Sequence, residues 1–250
     1  MTATKGALPS FSDLVLSFLE RVEHRIAKTD AEREAAFRLR YDAYVRNGLV
    51  EPRSDRMIYD PRYDDADNAW ITLTFVDGEL AATTRLNLGV GEDAVLPSMG
   101  VYPDLVAPKL RAGLVLLETT RLAANIEFSR SNPHLAYVAL RPSYMAFEYF
   151  DIDVAVATLR LEHMAFYRRT LQFVPWCEPR PYPGITAKIA CMGMDFQGVR
   201  ARVEARYPFY KSTRVEREAL FGPCEGELDF GFRAMNEAGP ERLRAELSTA

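Results

Sequence analysis

LVLLETTRLAAN, residues Leu114 to Asn125, is an apolar run of strand length that carries Glu118 and Arg121 inside it. A charge buried without a partner costs on the order of several kcal/mol. Two readings follow: the two residues pair structurally with charges on neighbouring strands, or they form the centre of a site. On a regular strand Glu118 and Arg121 point to opposite faces, so bringing them together needs a bulge or a strand end.

Upstream, AWITLTFV and ELAATTRLNL form two β-rich runs joined at Asp77-Gly78, which predicts a hairpin with Arg85 well inside its second strand, on the face of Thr83 and Asn87. Before it, the loop of residues 51–68 is rich in charge, with Asp60 and Asp64 among its acids, and is either solvated or able to close over a site. Thr29 to Glu32, TDAE, has the form of a capping box, and the helix after it should end near Asn47-Gly48. Phe37, Arg40 and Tyr44 share one face of that helix, where Arg40 can snorkel at a rim or offer its guanidinium to a carboxylate. Nearer the N-terminus, Ser12 is expected to cap a short helix whose face carries Leu14, Phe18 and Val22, and RVEHRIAKT alternates as a strand does.

Downstream, Asn132-Pro133 predicts a helix start, and Pro142 should kink or split that helix. DIDVAVATLRL reads as a buried strand, and EHMAFYRRTLQF as a helix with Met164, Tyr167 and Leu171 on one face. Phe173 to Glu178 and Ile185 to Met194 predict two more strands around the turn CEPRPYPG. The element order argues an α/β fold with a central mixed sheet flanked by helices. The expected division is an accessory helix over 1–20, the α/β domain over 21–195, and a C-terminal helical arm over 196–250.

Composition narrows the function classes. The 250 residues are 48% hydrophobic with a formal net charge of -4 and a pI near 5.6, so a general nucleic-acid binder is not expected. No apolar run is long enough for a transmembrane helix, and MTATKGALPS lacks the apolar core of an export signal. Cys177, Cys191 and Cys224 are odd in number and widely spaced, which fits reduced thiols in a cytoplasm. Neither they nor His24, His134 and His163 have metal-ligand spacing, so no metal is expected.

Phe166, Tyr167 and Phe173 resemble the F-Y-x-x-x-G-F motif of GNAT acyltransferases, with Gln172 where glycine is usual. FRLRYDAYV, DPRYDDADNAW, VDGELAATTRL and LLETTRLAA resemble, in order and spacing, the acyl-homoserine lactone (autoinducer) synthases, and more closely the long-chain N-acyl amino acid synthases. The resemblance implies a GNAT-like fold and assigns Arg40, Tyr44, Asp60, Asp64, Arg85 and Arg121 to substrate binding. It makes Glu118 the base that deprotonates the amine, directly or through water. Tyr167 is then the acid for the departing thiolate, with core packing as its alternative. The family's tryptophan after the first helix has no counterpart, and Leu49 or Val50 falls nearest.

Transfer of an acyl group from a thioester to an amine needs a neutral amine, a polarised carbonyl and a protonated leaving thiol. The first is expected of Glu118 if the arginines keep it ionised. IEFSRSNPHLA has no glycine where a CoA pyrophosphate loop would lie, so acyl carrier protein is expected as the donor over acyl-CoA. No tightly bound cofactor is expected; the acyl-phosphopantetheine thioester is a co-substrate. Arg130, Arg168 and Arg169, with Arg141 and Arg160, are candidates for a patch facing the carrier. The leading expectation is transfer of a medium- or long-chain fatty acyl group to the α-amine of an amino acid. The alternatives are acyl-homoserine lactone synthesis from S-adenosylmethionine and a non-catalytic acyl-carrier or lipid-binding module.

Overall fold

The computed structural model describes residues 8–222. The ends of the expected accessory segment and C-terminal arm, residues 1–7 and 223–250, and with them Cys224, lie outside the described residues.

Eight strands form one mixed sheet in the order β1-β2-β3-β4-β5-β8-β6, with β7 also paired to β8. β1 (Val22–Ile26), β2 (Ala69–Val76), β3 (Glu79–Gly89) and β4 (Leu116–Ala124) are antiparallel neighbours. β4 and β5 (Val154–Arg160) run parallel, and β8 (Lys188–Asp195) returns antiparallel to β5. Alternation along the strands sends side chains to the two faces of the sheet. Trp70, Leu86, Leu117, Ala155 and Met192 join the larger core. Ile71 and Leu73 face a second cluster with Phe37, and Leu116, Val156 and Cys191 a third. The sheet is therefore covered on both sides.

On the side of the two smaller clusters lie α2 (Asp30–Arg46), entered through the Thr29/Glu32 capping box, and α4 (Pro103–Arg111). On the other side lie α1 (Phe11–Leu19), α6 (Leu135–Ala139), α7 (Arg141–Tyr149), α8 (Met164–Leu171) and α9 (Phe196–Arg206). α10 (Arg214–Phe221) adds Phe221 to the same core. Among the described residues no helix is long and apolar enough to cross a membrane.

Four local expectations are corrected. Ser10, not Ser12, caps α1, because Asp13 at the third helical position completes a capping box with Ser10. The helix buries Val15 and Phe18 and leaves Leu14 exposed, while Val22 already belongs to β1. Asn132 closes a helix rather than opening one: α5 (Ile126–Ser131) ends there, and the Asn132 amide donates to the Phe128 carbonyl at 3.1 Å. α6 begins only at Leu135, and Pro142 falls in the first turn of α7, so the run is split. The strand expected over Phe173–Glu178 shrinks to β6 (Val174–Pro175), and the proline-rich turn supplies β7 (Arg180–Pro181). Proline removes the donor a longer ladder would need.

Gln172 ends α8 in the left-handed region at φ 60°, which is the conformational reason for glycine at such a position. Four residues, Arg168 to Leu171, separate it from Tyr167, one more than in the motif. Gln172→Gly is expected to stabilise the fold by about 0.5–1 kcal/mol. In a thermal melt that is a gain of roughly 1–4 °C, and Gln172→Ala should give none.

Candidate active site

β3 and β4 pair regularly except at one point. Thr83 is opposite Ala123 and Arg85 opposite Thr120, so two β4 residues, Arg121 and Leu122, face the single Thr84. Arg121 is the residue that absorbs the irregularity, at φ 56°. A non-glycine residue there costs about 1–2 kcal/mol relative to the right-handed region. This is the bulge that the spacing of Glu118 and Arg121 requires. A second irregularity lies on the other edge of β4, where its parallel pairing with β5 runs from Leu116/Val154 to Thr119/Ala157 although β4 continues to Ala124 and β5 to Arg160. The two strands part there.

A cavity of about 500 Å³ occupies that gap. Its walls include residues 119–124 of β4 and 158–160 of β5, so unpaired strand edges line it. Arg85, Arg121, Tyr44 and Tyr182 make one end polar, while Leu135, Ala139, Leu159 and Phe166 make the other apolar. Leu49, the residue nearest the missing tryptophan, is buried on the wall and accepts a backbone hydrogen bond from Thr186 at 3.0 Å.

Behind the polar end is a fully buried ion cluster. Arg40 Nη1 donates to Asp64 Oδ1 at 2.8 Å, and Arg85 Nη1 is 3.3 Å from the same oxygen. The second oxygen, Asp64 Oδ2, accepts the Asp60 backbone N–H at 2.8 Å. Arg40 also lies over the Phe37 ring and Arg85 over Tyr63, at 5.2 and 5.4 Å. Arg40 thus binds a carboxylate instead of snorkelling. Burial, reinforced by Arg85 and Arg121 and opposed by Asp64, lowers the Arg40 guanidinium to about 10, still charged at neutral pH. Burial raises the Asp64 carboxyl, but Arg40 and Arg85 outweigh it and hold it below the usual range.

Glu118 sits on the same face of β4 as Thr120, with no accessible surface. Its Oε2 accepts the Ser98 N–H at 2.8 Å, from the turn Pro97–Gly100, and its Oε1 accepts the Thr158 hydroxyl at 3.3 Å. Burial pushes its pKa up, against the Ser98 hydrogen bonds, the Arg85 charge and Thr158. The Arg85 charge acts as expected to favour the ionised form, but desolvation is the larger effect, and the carboxyl becomes a stronger base. Tyr167 lines the cavity from α8, edge-on to Phe173 at 5.5 Å. Burial, with Tyr44 nearby, raises its phenol above the ordinary range, so it holds its proton at neutral pH.

Seven of the residues singled out from sequence, Arg40, Tyr44, Asp64, Arg85, Glu118, Arg121 and Tyr167, thus lie on the cavity or directly behind it. Asp60 contributes its backbone N–H, and its carboxylate is in no ion pair among the described residues. Arg130, Arg168 and Arg169 are exposed on α5 and α8. Arg141 is removed from the candidate patch: it is buried, donating to the Phe209 and Lys211 carbonyls at 3.0 and 2.9 Å and to Glu216 at 2.7 Å. Arg160 pairs with Glu162. Sequence reasoning missed Ser98, Thr120, Thr158 and Tyr182. Thr158, a hydroxyl inside the apolar run VAVATLR, carried a readable signal; Tyr182 in its proline-rich turn carried none.

The sequence model of the family described as N-acyl amino acid synthase FeeM matches residues 35–195, more than half of the chain. The chain belongs to this family. No sequence among curated proteins matches it. Its fold is similar to that of FeeM, an N-acyl amino acid synthase from uncultured soil microbes, with TM-score 0.63 and 19% identity over 76% of this chain and 98% of that one. It is also similar to a CoA-dependent acyl-homoserine lactone synthase, BjaI, solved with MTA, with TM-score 0.50 and 18% identity over 74% and 90% of the two chains. The fold is GNAT-like and the protein is an acyltransferase. Among the described residues no group of three or more His, Cys, Asp or Glu is placed to hold a metal ion.

The raised pKa of Glu118 has a consequence for stability. Because its folded value lies above its unfolded one, its contribution to stability is present below the unfolded value and is lost as pH rises through the folded value. Glu118→Gln keeps an acceptor for the Ser98 N–H and removes the buried charge. Its melting temperature is expected to exceed that of the unaltered enzyme at pH 8, and the gap should close toward pH 4.

Proposed function

We propose that this acyltransferase moves a medium- or long-chain fatty acyl group from the phosphopantetheine thioester of acyl carrier protein to the α-amine of an amino acid. The observation that carries the choice of acceptor is a charge imbalance. Two buried guanidiniums, Arg40 and Arg85, and the half-buried Arg121 face two buried carboxylates, one of which has its pKa raised. Arg121 lies over the Tyr44 ring at 5.5 Å and is in no ion pair among the described residues, and it stands with Arg85 on the cavity wall. A site with excess positive charge at its wall favours an anionic ligand. The carboxylate of an amino acid supplies one, with the amine one carbon away. S-adenosylmethionine carries the same carboxylate together with a sulfonium that this field repels, which disfavours lactone synthesis.

Each chemical requirement has a candidate group. Glu118 takes the amine proton. The bulge at Arg121 frees a β4 backbone N–H from the ladder to polarise the thioester carbonyl. Tyr167 gives a proton to the thiolate. The open edges of β4 and β5 offer N–H and C=O groups to the amides of a pantetheine arm, as an added strand would meet them. The apolar end of the cavity suits the acyl chain.

The donor reading rests on α5. Its first free amides are taken by its own cap, the Asn125 side chain accepting from Glu127 and Phe128 N–H at 2.9 and 3.5 Å, which leaves them poorly placed for a pyrophosphate. Arg130, Arg168 and Arg169 stand exposed on the helices that contribute Ser129, Phe166 and Tyr167 to the cavity wall. Such a surface suits an acidic carrier.

The test is mass spectrometry of products from purified enzyme given acyl chains on acyl carrier protein and on CoA, with all amino acids and S-adenosylmethionine present. An N-acyl amino acid is expected, lost in Glu118→Gln. Arg121→Ala should raise KM for the amino acid at least tenfold, about the 1.4 kcal/mol of one weakened charge contact. Lactone as the sole product would overturn the acceptor assignment. Arg168→Glu with Arg169→Glu is expected to raise KM for the acyl carrier protein thioester about tenfold or more while leaving KM for acyl-pantetheine unchanged. Equal effects on both donors would count against the carrier patch.

A further inference from the structure

Glu118 is the base required by the proposed reaction, yet it has no accessible surface and is not on the cavity wall. A substrate amine in the cavity cannot touch it. One of its oxygens is committed to the Ser98 N–H. The other accepts the hydroxyl of Thr158, and Thr158 is on the wall. The placement follows from strand register. Glu118 is opposite Val156 in the parallel β4–β5 pair, so Thr158 lies two residues further along on the same face, at the point where the strands part.

We infer that Thr158 is the group that meets the amine and relays its proton to Glu118, an inference that rests on the N-acyl transfer reading above. The amino acid's ammonium gives one proton to Thr158 Oγ1 while the Thr158 hydroxyl passes its own to Glu118 Oε1. The free amine then forms the C–N bond to the thioester carbonyl carbon, and collapse breaks the C–S bond. Tyr167 protonates the departing thiolate and regains a proton from the amine nitrogen, and Glu118 returns the first proton through Thr158 to solvent as product leaves. The separation of 3.3 Å is long for a hydroxyl–carboxylate hydrogen bond, as such contacts often are before substrate tightens them. A relay also reconciles two demands on Glu118. It stays dry enough to keep a raised proton affinity, and it still exchanges a proton with a ligand it never contacts.

The test compares Thr158→Val, which keeps the shape and removes the hydroxyl, with Thr158→Ser, which restores it. In the unaltered enzyme kcat/KM for the amino acid should rise with pH through a limb set by deprotonation of Glu118. Thr158→Val is expected to lose about 100-fold in kcat, to lose that limb, and to keep KM for the acyl donor and the melting temperature. Thr158→Ser should recover both the rate and the limb. A Thr158→Val enzyme with full kcat, or one that is slow but keeps the limb, overturns the relay and leaves the reaction standing. A Thr158→Ser enzyme as slow as Thr158→Val also overturns it, making the methyl the important group. Absence of N-acyl product from the unaltered enzyme overturns the reaction itself, and the relay with it.

Discussion

The Arg40–Asp64–Arg85 cluster is the constraint from which most of the site follows. Three charged groups without solvent cost more to desolvate than a single ion pair returns, so their geometry must be held by the surrounding chain. That chain is drawn from α2, from the one-turn helix α3 (Pro61–Asp64) and from β3. The charge-rich loop before β2 is therefore tied at its far end to the centre of the sheet. Removing Asp64 would leave two guanidiniums buried without a counter-ion, a loss of about 3–5 kcal/mol. The cluster still leaves donors unused: Nε and Nη2 of Arg40 have no hydrogen-bond partner among the described residues. A protein that keeps such groups gives up stability that an apolar core of equal volume would return, which is easier to understand beside a site that binds an anion.

The second constraint is the behaviour of β4. On one edge it bulges against β3, and on the other it parts from β5. The bulge reverses the alternation of side chains, so Glu118, Thr120 and Arg121 are all brought to the polar region although a regular strand would separate the first and last. The parting opens a passage between the two faces of the sheet, with Arg85, Arg121, Tyr44 and Tyr182 on one side and Leu135, Ala139, Phe166 and Tyr167 on the other. Polar and apolar requirements are met within one cavity because the sheet itself divides them.

Much of this was legible in the sequence. The hairpin at Asp77-Gly78, the capping box at Thr29, the strand around Glu118 and the convergence of Arg40, Asp64 and Arg85 rest on local chemistry or on ordered motifs. Misreadings occurred where neighbouring signals compete. Ser10 and Ser12 are both cap residues, and only the position of Asp13 distinguishes them. Asn132-Pro133 has the form of a helix start, yet α5 had already begun at Asn125 and consumed that asparagine at its end. Arg141 looked like surface charge because nothing local reveals that its partners, Phe209, Lys211 and Glu216, arrive some seventy residues later. The proton affinity of Glu118 was not legible for a related reason. Charge partners can be guessed from sequence, but the degree of desolvation depends on Ser98 and α4 closing over the strand.

The turn after α8 carries a consequence beyond the cavity. β8 would be an open sheet edge, and it is covered only by two-residue strands, β6 and β7, each ending in proline. Trp176 adds its indole over Gly193, where a Cβ would lie 1.8 Å from the ring. Short strands, prolines and a bulky cover are the means by which natural sheets avoid recruiting another chain. The same segment continues to Tyr182 and Ile185 on the cavity wall and is pinned by Arg180 to Asp104 and by Thr186 to the end of α2. One wall of the cavity and the cover of the sheet edge are thus built from one stretch, residues 174–186. Evolution or engineering that reshapes this wall of the cavity also alters the cover of the sheet edge.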